Sequence, residues 1–210
     1  MPKPVIVLGT RNLKKRDELV ELLDLPGLEL ATLAERPEVP EVVEDGATFA
    51  ENAAKKATET AKALGEWSLG EDSGLCVDAL GGAPGIFSAR YAGEPCDDVA
   101  NNAKLLAELD GVSREERAAH YVCTIAVADP DGVIRARAEG RCFGRIARAA
   151  RGTNGFGYDP LFQFEGGDAT FGELLADFKR ARSHRAAAVR ELRPQLQRLF
   201  DLSTSPESSR

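Results

Sequence analysis

The chain opens with an apolar run that passes through a short polar turn into a helical pattern. Val5 to Leu8, flanked by Pro4 and Gly9, form the short continuous apolar stretch that is typical of a buried strand. Residues 14–23 then follow helical spacing. The opening therefore predicts a buried strand that is joined by a turn to the beginning of a helix.

Further strands and helices follow without strict alternation. The clearest helix is predicted over residues 48–64, where Thr48 can cap it, Glu51 occupies the capping-box position and Gly65 is placed to end it. Strands are predicted at residues 28–33, 68–71, 120–128, 133–142 and 161–164, and helices at residues 97–109 and after residue 183, where Pro194 should kink or break the helix. This mixture favours an α/β or α+β fold with a mixed sheet and a cleft between two lobes.

Composition limits the size and the partners of this chain of 210 residues. Residues 1–200 are predicted to form one two-lobed domain, and the polar residues 201–210 a disordered tail. The net charge of -7 argues against broad binding to nucleic acid or to an anionic membrane, so any phosphate site must be a local pocket of lysine and arginine. No apolar run approaches the roughly 20 residues that span a bilayer, and no leader signal is evident, which predicts a cytoplasmic protein.

A first cluster of polar residues, Thr10-Arg11-Asn12-Leu13-Lys14-Lys15, stands where the first strand passes into a helix. Free N–H groups and the helix dipole make such a position suitable for an anion. The alternative is that Thr10 or Asn12 only caps the helix. Lys15 lies three residues from Asn12 and borders the packed face, whereas Lys14 points further towards solvent, which favours Lys15 as the functional lysine.

The helix over residues 48–64 separates structural from functional candidates in the same way. Glu51 and Lys55 are four residues apart and can form an ion pair, which explains both of them structurally. Asn52 and Lys56 share another face and have no such explanation. They are therefore the better candidates for reaching into a site.

Two adjacent carboxylates, Glu71 and Asp72, precede Ser73 and Gly74 at a predicted strand end. Open α/β sheets commonly place their chemistry at strand ends. Side chains of neighbouring residues on an extended backbone point to opposite sides, so at most one of the two carboxylates easily faces a given ligand. An ordinary Asp-Ser-Gly turn is the competing interpretation.

Two later segments could bind a flat, polar ligand. In the glycine-rich loop 152–160 a base could stack on Phe156, although the aromatic residues could equally fold into the core. Lys179 and residues 183–185 place several donors near a helix start, where a solvated basic helix end is the simpler interpretation.

Taken in order, these segments resemble the inosine/xanthosine triphosphate pyrophosphatase family of house-cleaning purine nucleotide pyrophosphatases. The resemblance runs from about residue 4 to residue 200. It rests on six motifs: Thr10-x-Asn12-x-x-Lys15-x-x-Glu18, Thr48-Phe49-x-Glu51-Asn52-Ala53-x-x-Lys56-Ala57, Asp72-Ser73-Gly74-Leu75, Gly81 to Tyr91, Phe156-Gly157-Tyr158-Asp159-Pro160 and Ser183-His184-Arg185.

The resemblance implies an α/β homodimer with an elongated central mixed sheet flanked by helices and an active-site cleft between two lobes. It implies hydrolysis of ITP, dITP and XTP to the monophosphate and pyrophosphate with Mg²⁺, which removes deaminated purines from the nucleotide pool. Asp72 would be the metal-linked general base, with Lys56 and Lys15 as further catalytic residues, and Asp72 and Glu44 would be the metal ligands. Substrate binding would fall to Thr10, Arg11, Asn12, Leu13, Lys14, Lys15, Asn52, Ser73, Phe156, Gly157, Tyr158, Asp159, Lys179, His184 and Arg185.

The chain departs from the family pattern at three places. Arg11 and Lys14 stand where glycines are common, and Glu71 replaces a frequent aspartate. The position of a metal-binding carboxylate, three residues before Gly46, is Val43, and Glu44 lies one step along.

The base that the resemblance implies is consistent with the donors in the sequence. Hypoxanthine and xanthine carry an acceptor oxygen at C6, so donors such as Arg185 and His184 would favour them over adenine. Two alternatives stay open at this point: a pyrophosphatase for modified pyrimidines, dTTP or UTP, and a nucleotide-sensing module that binds the triphosphate without turnover.

Overall fold

A computed structural model describes residues 3–202 as six strands and five α-helices, with short 3-10 segments between them. The strands are β1 (Val5–Leu8), β2 (Glu29–Thr32), β3 (Trp67–Val77), β4 (Ala118–Ala128), β5 (Ile134–Ile146) and β6 (Phe162–Phe164). The helices are α1 (Leu13–Leu22), α2 (Phe49–Leu64), α3 (Asp98–Glu108), α4 (Ala176–Arg182) and α5 (His184–Leu199).

The six strands form one mixed sheet in the order β2-β1-β3-β4-β5-β6. β1 pairs in parallel with both β2 and β3, so that Val7 lies opposite Ala31 on one side and Ser68 on the other. β5 and β6 pair antiparallel. The sheet and its helices confirm the α/β class.

α2 has the ends that its sequence predicts and packs closely against the sheet. The Thr48 side chain accepts a hydrogen bond from the Glu51 N–H, and Gly65 ends the helix at φ 65°. Its buried alanines pack with Ala126 and Ala128 of β4. A Cβ at Gly70 of β3 would overlap backbone atoms of α2, so this glycine lets the helix approach the strand.

Two sequence-based expectations about the strands and helices are wrong. β3 does not end near Glu71 but continues to Val77, because it lies between β1 and β4 in the sheet and β4 supplies hydrogen-bonding partners beyond the short β1. Of the predicted kink or break at Pro194, the break is wrong, since α5 runs on to Leu199 with Leu192 and Leu196 fully buried on either side of the proline. The kink stays a prediction. The short helix α4 was not predicted.

Contacts between residues divide the chain into two compact units. The first unit comprises the residues up to Asp72, Thr124–Glu139 and the residues from Ala188, and the second comprises Ser73–Cys123 and Gly140–Ala187. The core of the second unit is rich in aromatic residues, including Tyr121, Phe162 and Phe171.

Most of the predicted polar tail, residues 203–210, lies outside the described residues. Between residues 3 and 202, no helix is long and apolar enough to cross a membrane.

Candidate active site

Asp72 lies at the centre of a buried polar cluster in the first unit. It belongs to β3, and only 4% of its surface is exposed. One carboxylate oxygen, Oδ1, lies 3.2 Å from Lys56 Nζ, and the other, Oδ2, accepts a hydrogen bond of 3.1 Å from Asn52 Nδ2. Asn52 and Lys56 are one helical turn apart on α2, so the helix brings both side chains to the same carboxylate.

The side-chain amide of Asn52 links Asp72 to the backbone at Gly46. Its Oδ1 accepts a hydrogen bond of 2.8 Å from the Gly46 N–H, while its Nδ2 donates to Asp72. A Cβ at Gly46 would lie 2.7 Å from Asn52 Oδ1, which is too close, so glycine is needed there. The structure therefore gives Asn52 the task of orienting Asp72, in addition to the substrate contact that the sequence predicts.

Glu44 reaches the same cluster although Val43 occupies the family position. Glu44 Oε2 lies 3.0 Å from Lys56 Nζ, whereas the Val43 side chain is exposed. Lys56 Nζ thus lies beside two carboxylates, those of Glu44 and Asp72.

Lys15 contacts the carboxylate next to Asp72. Its Nζ lies 3.3 Å from Glu71 Oε2, and Glu71 is 2% exposed. Glu71 and Asp72 thus contact different lysines, as expected for neighbours on an extended strand. The sequence predicted that Glu71 and Asp72 face different sides, but it did not identify Lys15 as the partner of Glu71.

The polar residues before α1 have structural tasks. Asn12 caps the helix by accepting a hydrogen bond from the Lys15 N–H, and Thr10 Oγ1 accepts one from the Asn12 N–H. Arg11 donates to the Val39 carbonyl oxygen at 2.5 Å. The cap by Asn12 is therefore confirmed and fixes where the Lys15 side chain begins, and the anion contact of these residues stays a prediction.

Leu13 and Lys14 are both exposed, whereas Lys15 is half-buried. The expectation that Lys14 points further towards solvent than Lys15 is confirmed, and the preference for Lys15 as the functional lysine stays a prediction. The substrate contacts predicted for Leu13 and Lys14 stay predictions.

The expected ion pair between Glu51 and Lys55 is wrong. Lys55 Nζ lies 2.5 Å from Asp45 Oδ1, and Glu51 accepts a hydrogen bond from the Ala47 N–H as part of the capping arrangement. The loop before α2 supplies these partners, and sequence spacing within the helix could not reveal them. Both residues nevertheless lie outside the buried cluster, as predicted.

Burial and the surrounding charges set the protonation of this cluster. Burial raises the pKa of Asp72 above its ordinary value of 3.8, against the opposing effects of Lys56 and Lys15. Burial alone would lower the pKa of Lys56, but the carboxylates of Asp72, Glu44 and Glu71 outweigh it and raise that pKa. Lys56 is therefore a stable cation beside a carboxylate that can accept a proton.

The carboxylates of the cluster suit a hard divalent cation. Within residues 3–202 no three histidine, cysteine or acidic side chains form a metal cage. Mg²⁺ does not need one, because proteins usually bind it through one or two carboxylates together with substrate phosphates and water. Glu44 and Asp72, which both contact Lys56 Nζ, supply that number of carboxylates in one place.

A second cluster lies within the second unit, around Asp159. Asp159 Oδ2 lies 2.7 Å from Lys179 Nζ and accepts a hydrogen bond from the Phe156 N–H at 2.8 Å. Lys179 Nζ also lies 4.4 Å from the centroid of the Phe156 ring. Asp159 and Lys179 are both buried, so the loop and α4 hold a cation over an aromatic face.

The Ser-His-Arg segment is also buried in the second unit. His184 stacks on Tyr121 with ring centroids 4.7 Å apart, and Arg185 Nη2 donates to Ser73 Oγ at 3.2 Å. Arg185 is 1% exposed, so it is not the solvated helix end of the simpler interpretation. Tyr121 escaped sequence reasoning because an aromatic residue in a strand looks like any core residue.

Tyr158 and Gly157 make contacts inside the second unit. The Tyr158 hydroxyl donates to the Ser88 carbonyl oxygen at 2.8 Å, and the Gly157 N–H donates to Asp98 Oδ2 at 2.9 Å. Both interactions fix the loop, and the substrate contacts predicted for these two residues stay predictions.

Comparison with known proteins gives one consistent result. The sequence model of the Ham1 family matches residues 6–195. A dITP/XTP pyrophosphatase from Rhodopirellula baltica is 54% identical over 95% of this chain and 96% of that protein, and one from Desulforamulus reducens is 50% identical over 93% and 96%. A HAM1 protein from Coxiella burnetii has a similar structure, with a TM-score of 0.85 and 39% identity over 93% of this chain and 99% of that one.

Proposed function

The chain belongs to the Ham1 family, and from that premise we propose that it is a nucleoside triphosphate pyrophosphatase for non-standard purine nucleotides. Its substrates are ITP, dITP and XTP, which it cleaves between the α and β phosphates to the monophosphate and pyrophosphate. The observation that carries the proposal is the buried Asp72 carboxylate, held by Asn52 and Lys56 with Glu44 beside them.

The first unit performs the chemistry of phosphate cleavage. The oxygen of a water molecule bonds to the α-phosphorus, and the bond from that phosphorus to the oxygen bridging the α and β phosphates breaks. Asp72 accepts the proton of the water, which its raised pKa favours. The electron pair of the broken bond leaves with pyrophosphate, whose charge Lys15 and Lys56 neutralise.

Glu44 and Asp72 would hold Mg²⁺, the metal that this site suits best. When bound, the ion withdraws charge from the phosphate oxygens and helps to ionise the attacking water. Asn52 keeps the Asp72 carboxylate in one orientation throughout, because its amide is fixed at the other end by the Gly46 N–H.

The loop before α1 binds the triphosphate. Thr10, Asn12 and Lys15 stand at the N-terminus of a ten-residue helix, where backbone N–H groups and the helix dipole favour anions. Arg11 of the loop and Leu13 and Lys14 of the first turn of α1 complete this phosphate site.

The second unit recognises the base. Phe156 offers an aromatic face for stacking, and Lys179 and Asp159 offer polar atoms beside it, while Ser73 offers a hydroxyl next to Arg185. Arg185 and His184 are donors, and donors match the oxygen at C6 of hypoxanthine and xanthine. Adenine carries an amine at that position and would leave a buried donor unpaired, so the proposal includes rejection of ATP.

The proposal extends to the assembly and the compartment of the enzyme. Phe87 and Val99 of the second unit are large hydrophobic residues with 54% and 79% of their surface exposed, which supports a homodimer with these residues at its interface. The nucleotide pool that such an enzyme clears is cytoplasmic, and we place the enzyme there.

Pyrophosphate release tests the proposed function. Purified protein is supplied with ITP, dITP, XTP, GTP, ATP, dTTP or UTP and Mg²⁺, and pyrophosphate and orthophosphate are measured separately. We expect pyrophosphate from ITP, dITP and XTP well above that from ATP, and none once EDTA is added. A preference for ATP or for the pyrimidine nucleotides would overturn the substrate, and binding without any turnover would identify a nucleotide sensor instead.

A further inference from the structure

The second unit contains a basic cavity that shares no residue with either cluster described above. Its volume is ≈ 470 Å³, which lies within the range of small-molecule sites, about 300–1,000 Å³. Exposed Arg114, Arg148, Arg151 and Asp168 contribute to its lining. Four arginines, including the buried Arg117, line the cavity against one acidic residue, although the whole chain carries a net charge of -7.

Arg117 is the most informative of these residues, because it is a buried cation that forms no ion pair with a carboxylate of the described residues, Asp110 acting on it only from a distance. It is 3% exposed, and its guanidinium donates to the carbonyl oxygens of Val112, Ala147 and Leu109. A guanidinium has five N–H donors, so two remain beyond these three bonds. Buried charges are normally paired, and Arg117 is held in place only by neutral groups.

Arg148 is a second cation of the cavity that forms no ion pair with the described residues. It is exposed, and no carboxylate lies within ion-pair distance of it among residues 3–202. Burial, and then the repulsion from the charge of Arg148, lower the pKa of Arg117, and the weaker attraction of Asp110 only partly offsets them. An anion bound beside them would relieve that repulsion.

The other two arginines differ, because each has an acidic neighbour. Arg114 pairs with Asp168 at 2.6 Å, and Arg151 lies 3.4 Å from Glu173. Among the four arginines of the cavity, Arg117 and Arg148 are therefore the two for which the described residues supply no carboxylate at ion-pair distance.

The other residues that line the cavity indicate the size and the polarity of the ligand that would fit it. Ile146, Ala147 and Ala149 provide an apolar part, and the buried Gln163 provides an amide. The cavity is larger than a single ion requires and combines cations with apolar surface. A guanidinium matches pairs of oxygens on carboxylate and on phosphate alike, but a phosphate group carries up to two charges and three acceptor oxygens, enough to meet both Arg117 and Arg148.

We propose that this cavity is an accessory site that binds a small phosphate-bearing molecule through Arg117 and Arg148. The shared chemistry is a phosphoryl oxyanion, which either inorganic pyrophosphate or a nucleoside monophosphate can supply. The site goes beyond the proposed catalytic function, because none of its residues takes part in that reaction.

Calorimetric titration of the full chain with pyrophosphate, and separately with AMP, tests this site. The informative variant is Arg148→Glu, and the matched control is Arg145→Glu, which reverses the charge of another exposed arginine, on β5, outside the cavity. For at least one of the two ligands, we expect Arg148→Glu to weaken the affinity of one binding event by about tenfold or more. Arg145→Glu should leave every affinity unchanged. The ligand that responds identifies the source of the phosphate.

Turnover of ITP is measured in both variants and should stay at the wild-type level, so a failure of this site is distinguishable from a failure of the proposed catalysis. Arg148→Ala serves as a second variant and should weaken the same event to a smaller extent. Equal affinities in the wild type and all variants would overturn the proposal. Equal weakening by Arg145→Glu and Arg148→Glu, or binding of a single-stranded oligonucleotide but of neither small ligand, would overturn it as well.

Discussion

Lys55 and Lys56 are adjacent on α2, but their surroundings differ completely. Lys56 Nζ is buried between Asp72 and Glu44, whereas Lys55 forms an exposed pair with Asp45. We expect Lys56→Ala to lower kcat/KM for ITP by about a hundredfold or more, because a cation that stabilises the leaving group is lost. Lys55→Ala removes the same charge from the same helix and should change kcat/KM by less than about twofold.

Steady-state pyrophosphate release measures both lysine variants. Similar losses in the two variants would mean that the general positive charge of α2, and not the position of Lys56, supports catalysis.

Asp72 gives the activity a pH dependence of predictable sign. Its pKa in the folded protein is raised above 3.8 by burial, so the carboxylate becomes available as a base only at a higher pH than an ordinary aspartate. We expect kcat/KM to fall on the acid side with a midpoint above 3.8. A profile of kcat/KM against pH measures it, and an acid limb at or below 3.8 would contradict the described surroundings of Asp72.

The same pKa shift affects stability. A carboxylate whose folded pKa is raised contributes most stability below its unfolded pKa, and that contribution is lost as pH rises through the folded pKa. Ionised Asp72 thus supplies the proposed base, but its ionisation lowers the free energy of unfolding.

Part of this detail could be predicted from sequence. Helical spacing separates Lys15 from Lys14 and Lys56 from Lys55, because the positions three and four residues apart share a face. The contact between Lys56 and Glu44 could not be predicted, since it depends on the path of the loop before α2. The partners of Arg117 are backbone carbonyls from separate segments, which leave no trace in a sequence.

Among the helices and strands, the close approach of α2 to β3 decides whether the site forms. A Cβ at Gly70 would overlap the Ala53 carbonyl oxygen and the Ala57 nitrogen, and these backbone atoms of α2 cannot move aside cheaply. We expect Gly70→Ala to lower the free energy of unfolding by about 2 kcal/mol or more and to reduce activity as well, because Asn52 and Lys56 shift with the helix.

Urea denaturation of the Gly70 variant measures this effect. Gly167→Ala is the control, since a Cβ there would meet no atom within 4 Å. An equally small loss of stability in both variants would show that the packing of α2 against β3 does not require glycine at position 70.

The ends of the elements show why some predictions from sequence succeed. α2 begins and ends where its capping residues place it, because caps are local interactions. The length of β3 depends on pairing with β4, which lies about fifty residues away along the chain, and local patterns carry no information on it. α5 continues through Pro194 because buried leucines on both sides hold it against the core, which outweighs the lost hydrogen bond.

For the whole molecule, the proposed homodimer would depend on exposed apolar surface. Phe87, in the 3-10 segment Gly85–Arg90, and Val99, in α3, are exposed in the second unit. Light scattering after size-exclusion chromatography should give a dimer for the wild type and a monomer for the double variant Phe87→Ser, Val99→Ser. Val133→Ser, which alters another exposed hydrophobic residue, should leave the dimer intact, and a monomeric wild type would refute the homodimer.

Asp72→Asn tests the central claim most directly, because it removes the proposed base and keeps the shape of the side chain. Asp45→Asn is the matched control, since Asp45 also pairs with a lysine of α2 but is exposed. The account predicts that Asp72→Asn loses at least about a hundredfold of its pyrophosphate release from ITP while its circular dichroism and melting temperature stay at or above those of the wild type. Asp45→Asn should retain full turnover. A folded Asp72→Asn protein that hydrolyses ITP at nearly the wild-type rate would contradict the account.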